Sequence, residues 1–297
     1  MSEATADPKP CLPPDPNIPK PKFAVPEGAC DSYCHIFGPP EKYPYVAKRA
    51  YTPPAAPIAK YKAMQDALGL SRAVFIQPSV HGKDNTCMLD AIASGGGRYL
   101  GICGLDDTVT AAELKRLHDA GIRGVKFNFV RFLGHRPEIG MFRRVAERVA
   151  ELGWNLDLHL AVEDVVELED DLRRLKLPYV IDHMCRVPVD PGVEHPAFKT
   201  LLALLEIEHC WVRISGIDRI APGVPYERGL PIARKIIAAA PDRVVWGTDW
   251  PHPNVFDAKR MPNDTNLLNF LYDAAGNDKT VAKILVDNPV RLYGFRA

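Results

Sequence analysis

The residues of this sequence best suited to chemistry are an aspartate and two histidines, Asp249, His183 and His35. A carboxylate can take a proton from water, and an imidazole can donate a hydrogen bond or bind a metal near neutral pH. Hydrolysis of an ester or a lactone needs both functions, because water must be activated while the carbonyl group is polarised. We therefore predict a hydrolytic site with Asp249 as the catalytic base and the two histidines beside it.

Asp249 stands between two tryptophans in the segment 246–253, which reads WGTDWPHP. A carboxylate in apolar surroundings costs free energy unless it is paired, so this position favours a functional role. A single histidine at the end of a strand is more often an ordinary core residue. His35 and His183 are catalytic candidates because they end strands of the same predicted sheet as Asp249.

Short apolar segments alternate along the chain with segments of helical spacing. Strands are predicted at 29–35, 73–77, 99–103, 124–128, 155–159, 179–183, 210–215 and 244–249. Helices are predicted at 88–94, 111–120, 141–152, 165–175, 197–205 and 230–240. Such alternation is typical of βαβ units and a parallel sheet, and eight units in a chain of this length predict an α/β fold of the (β/α)₈ TIM barrel type.

Most of the predicted strands end on a polar residue: His35, Gln77, Asn128, His159, His183, Ser215 and Asp249. The active site of a (β/α)₈ barrel is built at the carboxyl ends of its strands. In the fifth strand, Asn155, Asp157 and His159 share the face that we expect to point into the barrel, while the leucines face the helices. The sequence therefore predicts a polar site at one rim of the barrel.

Composition limits the possible partners and the compartment. The 297 residues carry a net charge of +0 without a Lys/Arg-rich run, which argues against a nucleic-acid partner. No apolar run reaches the ~18 residues of a membrane helix, and the N-terminus lacks a secretory apolar core. We expect a cytoplasmic protein whose 7 cysteines are reduced. Half of the 28 prolines precede residue 58, so we predict a proline-rich arm at 1–28 and a catalytic barrel domain at 29–297.

The predicted rim also carries groups that suit a small anionic substrate. Four cations follow barrel strands: Lys126, Arg131, Arg186 and Arg219. Arginine and lysine pair well with carboxylate or sulfonate oxygens. Further substrate contacts are expected from residues of the first strand and of nearby loops: Tyr33, Tyr51, Ser79 and His81. A cysteine nucleophile is not favoured, because Cys34 alternates away from His35.

Several motifs of the sequence resemble those of one enzyme family. The segments are 31–39, 79–85, 181–184, 246–254 and 288–293. They resemble the 2-pyrone-4,6-dicarboxylate hydrolases of the amidohydrolase superfamily, a branch that includes the 4-sulfomuconolactone hydrolases, and the likeness spans roughly residues 28–295. The resemblance implies an amidohydrolase-type barrel and a lactonase of aromatic-compound breakdown.

The resemblance also implies roles for individual residues. Asp249 deprotonates the attacking water, and His35 and His183 help to polarise the lactone carbonyl. The positions that hold the substrate are Tyr51, Ser79, His81 and Arg219.

The chain departs from the family pattern at four positions. Tyr33 replaces the first histidine of a His-x-His pair, and His159 replaces a tyrosine. Lys126 and Phe132 replace two arginines, although Arg131 lies one place before Phe132. Lysine lacks the bidentate guanidinium fork, and phenylalanine lacks the charge. These changes favour 4-sulfomuconolactone over 2-pyrone-4,6-dicarboxylate as the substrate.

The sequence leaves the cofactor and two other functions open. His35, His159 and Asp249 supply two imidazoles and a carboxylate, the ligand count of a catalytic zinc site with an open position for water. The hydrolase would then use one divalent ion, or otherwise none. The same ligands with His183 as the acid suit a metal-dependent decarboxylase. A non-catalytic barrel that binds an anionic metabolite is the third possibility.

Overall fold

The computed structural model describes residues 8–133 and 136–296, and its centre is one sheet of eight parallel strands. Each strand pairs with its neighbour in chain order, from β1 to β8. The strands are β1 Cys30–Cys34, β2 Arg72–Ile76, β3 Tyr99–Cys103, β4 Ile122–Asn128, β5 Asn155–His159, β6 Tyr179–Ile181, β7 Cys210–Ile214 and β8 Val244–Trp246. The predicted (β/α)₈ barrel is confirmed, and every strand overlaps its predicted segment.

The barrel closes where β1 meets the chain that follows β8. The backbone N–H of His35 donates to the carbonyl of Trp250 at 2.7 Å, and the N–H of Asp249 donates to the carbonyl of Tyr33 at 2.8 Å. These two bonds continue the parallel pairing beyond the regular strands. As a result, the backbones of His35 and Asp249 lie side by side at the carboxyl rim.

Helices surround the barrel and pack their apolar faces against it. Their bounds are α1 Ile58–Leu68, α2 Thr86–Ala93, α3 Ala111–Asp119, α4 Ile139–Ala150, α5 Val162–Glu167, α6 Glu169–Arg174, α7 Pro196–Leu204, α8 Ile217–Ile220, α9 Leu230–Ala239, α10 Asp264–Ala275, α11 Asp278–Ala282 and α12 Asn288–Tyr293. The predicted helix 165–175 is divided into α5 and α6 at Leu168. None of the helices in the described part of the chain combines the length and the apolar character needed to cross a membrane.

The described part of the proline-rich arm, residues 8–28, lies against the loop that follows β8 and against α10. Leu12 N–H donates to the carbonyl of Val255 at 2.9 Å, and the Thr265 hydroxyl donates to the carbonyl of Pro19 at 2.6 Å. The first seven residues of the predicted arm lie outside the described residues. The arm therefore packs beside the loop that leads away from Asp249.

Candidate active site

A cavity of about 230 Å³ opens at the carboxyl rim of the barrel. Ten of the predicted site residues line it: Tyr33, His35, Tyr51, Ser79, Lys126, His159, His183, Arg186, Arg219 and Asp249. Most of them come from strand ends or from the loops that follow them. The structure therefore brings together most of the residues that the sequence singled out, at the rim where they were expected.

Asp249 is held between a histidine and an arginine at the base of this cavity. Its Oδ1 lies 3.3 Å from Nε2 of His35, and its Oδ2 accepts a hydrogen bond of 2.9 Å from Arg219. Burial alone would raise the pKa of Asp249, but the charge of Arg219 and the hydrogen bond from His35 outweigh it and hold the pKa well below its usual value. Asp249 is therefore ionised at neutral pH.

The turn that carries Asp249 is fixed by a buried carboxylate of β1. Asp31 accepts hydrogen bonds from the backbone N–H of Thr248 at 3.0 Å and from its hydroxyl at 2.7 Å. Burial raises the pKa of Asp31 to about 6, although these bonds partly oppose the shift. Asp249 itself has φ +64°, a left-handed conformation that costs a non-glycine residue free energy. The contacts of Thr248 support this strained geometry directly before Asp249.

His183 presents a neutral imidazole to the cavity. Its Nδ1 lies 2.9 Å from the hydroxyl oxygen of Ser215, at the end of β7. Burial lowers the pKa of His183 well below its usual value, and the charges of Lys126 and Arg186 add to this effect although Asp249 opposes it. When the Ser215 hydroxyl donates to Nδ1, the ring proton is on Nε2 and can be donated to a ligand.

His159 is a second neutral imidazole beside His183. The two ring centres are 5.0 Å apart, and the ring of Phe132 contacts His159 edge-on at 5.9 Å. Burial lowers the pKa of His159 well below its usual value, and the charges of Lys126 and Arg186 act in the same direction. Its Nε2 is buried and has no hydrogen-bond partner among the described residues. A polar ligand in the cavity would supply that partner.

Lys126 reaches the cavity, but its charge is already neutralised by the barrel interior. Its ammonium donates to the Tyr33 hydroxyl at 2.9 Å, contacts Asp182 directly and lies 3.5 Å from Asp157. Arg213 contacts both of these carboxylates as well, so two cations face two anions. Lys126 was predicted to bind the substrate; the structure instead gives each of its three donors a protein acceptor. The lysine positions Tyr33, whose ring packs edge-on against His35 and His183.

Two other predicted substrate contacts lie outside the residues that line the cavity. The Arg131 side chain is 81% exposed and pairs with Glu167 at 3.7 Å. His81 is buried, with its Nδ1 3.3 Å from the carbonyl of Pro44 and its ring beside Tyr45. Neither residue lines the cavity, because Arg131 is turned toward Glu167 of α5 and His81 toward the loop that follows β1.

The predicted metal ligands do not form a metal site. Nε2 of His35 faces Oδ1 of Asp249 at 3.3 Å, and Oδ2 of Asp249 accepts a hydrogen bond from Arg219 at 2.9 Å. Within residues 8–133 and 136–296, no group of three or more His, Cys, Asp or Glu side chains is arranged to hold a metal ion. The triad of His35, His159 and Asp249 therefore does not fit a zinc ion, and no step of the reaction is assigned to one.

The sequence did not single out several polar residues of the site. Asp182 and Arg213 complete the buried charge network, and Arg260 and Asn254 line the cavity from the loop after β8. Arg213 did leave a signal, because an arginine in the middle of the apolar segment 210–214 must find a buried anion. Arg260 left none, since it lies on a loop far from any strand end.

Comparison with known proteins places the chain among hydrolases. A family model described as "Amidohydrolase" matches residues 30–295. A curated 4-sulfomuconolactone hydrolase of Hydrogenophaga intermedia is 42% identical, over 99% of this chain and 98% of that protein. A 2-pyrone-4,6-dicarboxylate hydrolase of Comamonas testosteroni is 39% identical, over 93% of each chain. A solved Pseudomonas putida structure, described as a 2-pyrone-4,6-dicarboxylic acid hydrolase, has 30% identity and a TM-score of 0.80, covering 93% of this chain and 100% of that one.

Proposed function

The chain belongs to the amidohydrolase family, and from that premise we propose that it opens an anionic, unsaturated lactone in the breakdown of aromatic compounds, with Asp249 as the catalytic base. The family resemblance seen in the sequence motifs is confirmed. The observation that carries the proposal is the environment of Asp249, which is buried, ionised and placed beside neutral imidazoles in a cavity that also contains arginines. Such a set can activate water next to a bound carbonyl group.

The first chemical step is the attack of water on the lactone carbonyl. Asp249 takes one proton from the water, and the oxygen forms a bond to the carbonyl carbon. Because Arg219 and His35 keep Asp249 ionised, the base is ready at neutral pH without prior loss of a proton. Negative charge then develops on the former carbonyl oxygen.

The second step breaks the ring. His183 is neutral and its Nε2 is free to donate a hydrogen bond to the carbonyl oxygen, which stabilises the developing charge. When the bond between the acyl carbon and the ring oxygen breaks, the leaving oxygen takes the proton that Asp249 accepted. Lactone and water thus give one open-chain acid, which ionises and releases a proton at neutral pH.

We propose 4-sulfomuconolactone as the preferred substrate over 2-pyrone-4,6-dicarboxylate. Lys126 and Phe132 stand where the pyrone hydrolases carry arginines, and Lys126 is already paired with carboxylates. A relative named for the sulfonated lactone is 42% identical to this chain. The substrate is therefore an anion whose charged groups differ in position from those of the pyrone.

The two other functions that the sequence left open receive less support. A metal-dependent decarboxylase needs His35, His159 and Asp249 to bind one metal ion, and these side chains are not arranged to do so. A barrel that only binds an anion has no use for an ionised aspartate beside neutral histidines. We also propose that the protein works in the cytoplasm, which is supported by seven cysteines that are all buried and free.

The test is a turnover assay of purified protein with 4-sulfomuconolactone and with 2-pyrone-4,6-dicarboxylate, followed by acid release and by ultraviolet absorbance. We expect kcat/KM to be at least about 10-fold higher for the sulfonated lactone, which corresponds to ~1.4 kcal/mol. Efficient hydrolysis of the pyrone alone would reverse the preference. Release of CO₂ would indicate a decarboxylase, and ligand binding without turnover of either compound would indicate a binding protein.

A further inference from the structure

We propose that Arg186 and Arg260 form a two-point clamp for a substrate with two anionic groups, one held by each guanidinium. The inference rests on the proposed lactone hydrolysis and specifies how that substrate is recognised.

Two of the four cations that line the cavity are neutralised by the protein. Lys126 faces Asp182 and Asp157. Arg219 donates to Asp249 at 2.9 Å, and its Nε lies 3.1 Å from Asp218. Neither cation therefore has its full charge available for a ligand.

The other two cations have no such partner. Arg186 and Arg260 both line the cavity. Within residues 8–133 and 136–296, neither guanidinium makes a hydrogen bond or an ion pair with the protein. Arg186 is only partly exposed and lies over the ring of Phe132, 5.1 Å from its centre. Burial lowers the pKa of Arg186, and the neighbouring charge of Arg219 adds to this shift, while the charges of Asp218 and Asp249 only partly oppose it. A partly buried cation next to another cation is stabilised by an anion from outside the protein.

The backbone around Arg186 has an unusual left-handed conformation, which places the Arg186 side chain in the cavity. Residues 183–186 all have positive φ, between 50° and 56°. Left-handed conformations of four successive non-glycine residues are costly and persist where function requires them. This single left-handed turn places His183 and Arg186 three residues apart, so both side chains leave the same side of it and line the cavity. An anionic group on Arg186 therefore lies close to the carbonyl that His183 contacts.

Arg260 supplies the second point at the mouth of the cavity. It is exposed and lies on the loop after β8, where the Arg260 N–H donates to the carbonyl of Asp257 at 2.9 Å. A guanidinium binds a carboxylate or a sulfonate with paired hydrogen bonds. Since two unpaired cations remain at different depths, the matching ligand is a dianion with one group near the reacting carbonyl and one nearer to solvent.

The experiment measures the binding of three compounds to Asp249→Asn protein, which should bind without turnover. The probes are 4-sulfomuconolactone, muconolactone, which lacks the sulfonate, and the methyl ester of 4-sulfomuconolactone at its carboxylate. Arg186→Met and Arg260→Met should each weaken binding of the dianion about 10- to 100-fold, as expected for a lost charge-assisted contact. One of the two probes with a single anionic group lacks the group that a given arginine holds. The variant of that arginine should bind this probe with an unchanged dissociation constant.

Matched controls separate local contacts from the general charge of the rim. Lys259→Met removes an exposed cation that neighbours Arg260 but does not line the cavity, and we expect dissociation constants within twofold of those of the parent protein. Arg186→Lys keeps the charge and should recover part of the affinity if Arg186→Met folds poorly. The clamp would be overturned if each arginine variant lost the same affinity for all three probes, or if it lost none. It would also be overturned if a control variant lost affinity, or if the protein bound none of the probes.

Binding and turnover together distinguish a failure of the clamp from a failure of the proposed function. Wild-type protein that binds the dianion through both arginines but does not open it would contradict lactone hydrolysis and leave the clamp intact. Wild-type protein that opens the lactone while Arg186→Met and Arg260→Met keep its KM would overturn the clamp alone.

Discussion

Nε2 of His35 lies 3.3 Å from Oδ1 of Asp249, while Nδ1 of the same ring lies 2.8 Å from the carbonyl oxygen of Ile76. A carbonyl oxygen can only accept, so Nδ1 carries a hydrogen and a neutral His35 has only a lone pair on Nε2. His35 therefore donates to Asp249 only when it holds a second proton. In that state both His35 and Arg219 donate to Asp249, which keeps the carboxylate ionised and ready to accept a proton from water.

The first prediction concerns the glycine that makes room for His183. Gly216 has φ +65°, and a Cβ built there would lie 2.8 Å from Cβ of His183. Gly216→Ala should displace the imidazole and lower kcat by up to about 100-fold. Gly223→Ala is the matched control, because Gly223 has φ +74° but open space around it. Both substitutions should cost about 1–2 kcal/mol of stability for the left-handed backbone, but only the first should lower kcat. Equal kcat values in the two variants would contradict the assigned position of His183.

The second prediction concerns the pH dependence of the reaction. Burial raises and Arg219 lowers the pKa of Asp249, so loss of the arginine should raise this pKa. In wild-type protein Asp249 stays ionised until the pH falls well below the usual carboxylate range. In Arg219→Met the acid limb of kcat/KM should move to higher pH, and KM should rise. Arg219→Lys keeps the charge and should leave the acid limb close to that of wild type. An acid limb that does not move in Arg219→Met would show that the arginine does not control Asp249.

The third prediction separates a structural from a substrate-binding role for Lys126. Lys126→Met leaves Asp182 and Asp157 with Arg213 alone, so a buried negative charge is unpaired. Removal of one partner of a buried ion pair costs about 3–5 kcal/mol, and we expect this loss in the free energy of unfolding in urea. Lys126→Met combined with Asp182→Asn restores the charge balance and should recover part of the stability. Wild-type stability with a raised KM would instead assign Lys126 to the substrate.

Much of the barrel could be predicted from the sequence because parallel strands are buried on both faces. Each strand is therefore a short apolar segment in the sequence, and most of these segments end at a polar residue. All eight strands were found in this way, and so was the polar rim. Helix α10, Asp264–Ala275, was missed, and so was α1, Ile58–Leu68. Helix α1 follows a proline-rich loop and starts after Pro57 without a capping side chain, although its buried Tyr61, Met64 and Leu68 follow helical spacing.

The site was predicted less completely, because its charges are paired by residues distant in sequence. Lys126 resembles a free cation at a strand end until barrel closure brings Asp182 and Arg213 to it. Arg131 follows the same strand but turns outward to Glu167. The direction of each side chain depends on these partners, which alternation along a single strand does not reveal.

The fourth prediction concerns metal dependence. His35, His159 and Asp249 do not converge on one point, so water activation is assigned to Asp249 without a metal ion. Dialysis against EDTA should leave kcat unchanged, and added zinc should not raise it. The control is a known zinc hydrolase treated in the same buffers. Loss of activity on dialysis that zinc restores would contradict this assignment.

The most direct test of lactone hydrolysis by Asp249 is kcat of Asp249→Asn with 4-sulfomuconolactone, beside circular dichroism and Tm to verify the fold. Asparagine keeps the shape of the side chain and its contact with Arg219 but cannot accept a proton from water. Loss of a general base lowers kcat about 10²- to 10⁴-fold, and we expect a loss in this range with a native fold. A folded Asp249→Asn protein whose kcat stays within about tenfold of wild type would contradict the role of Asp249 as the base.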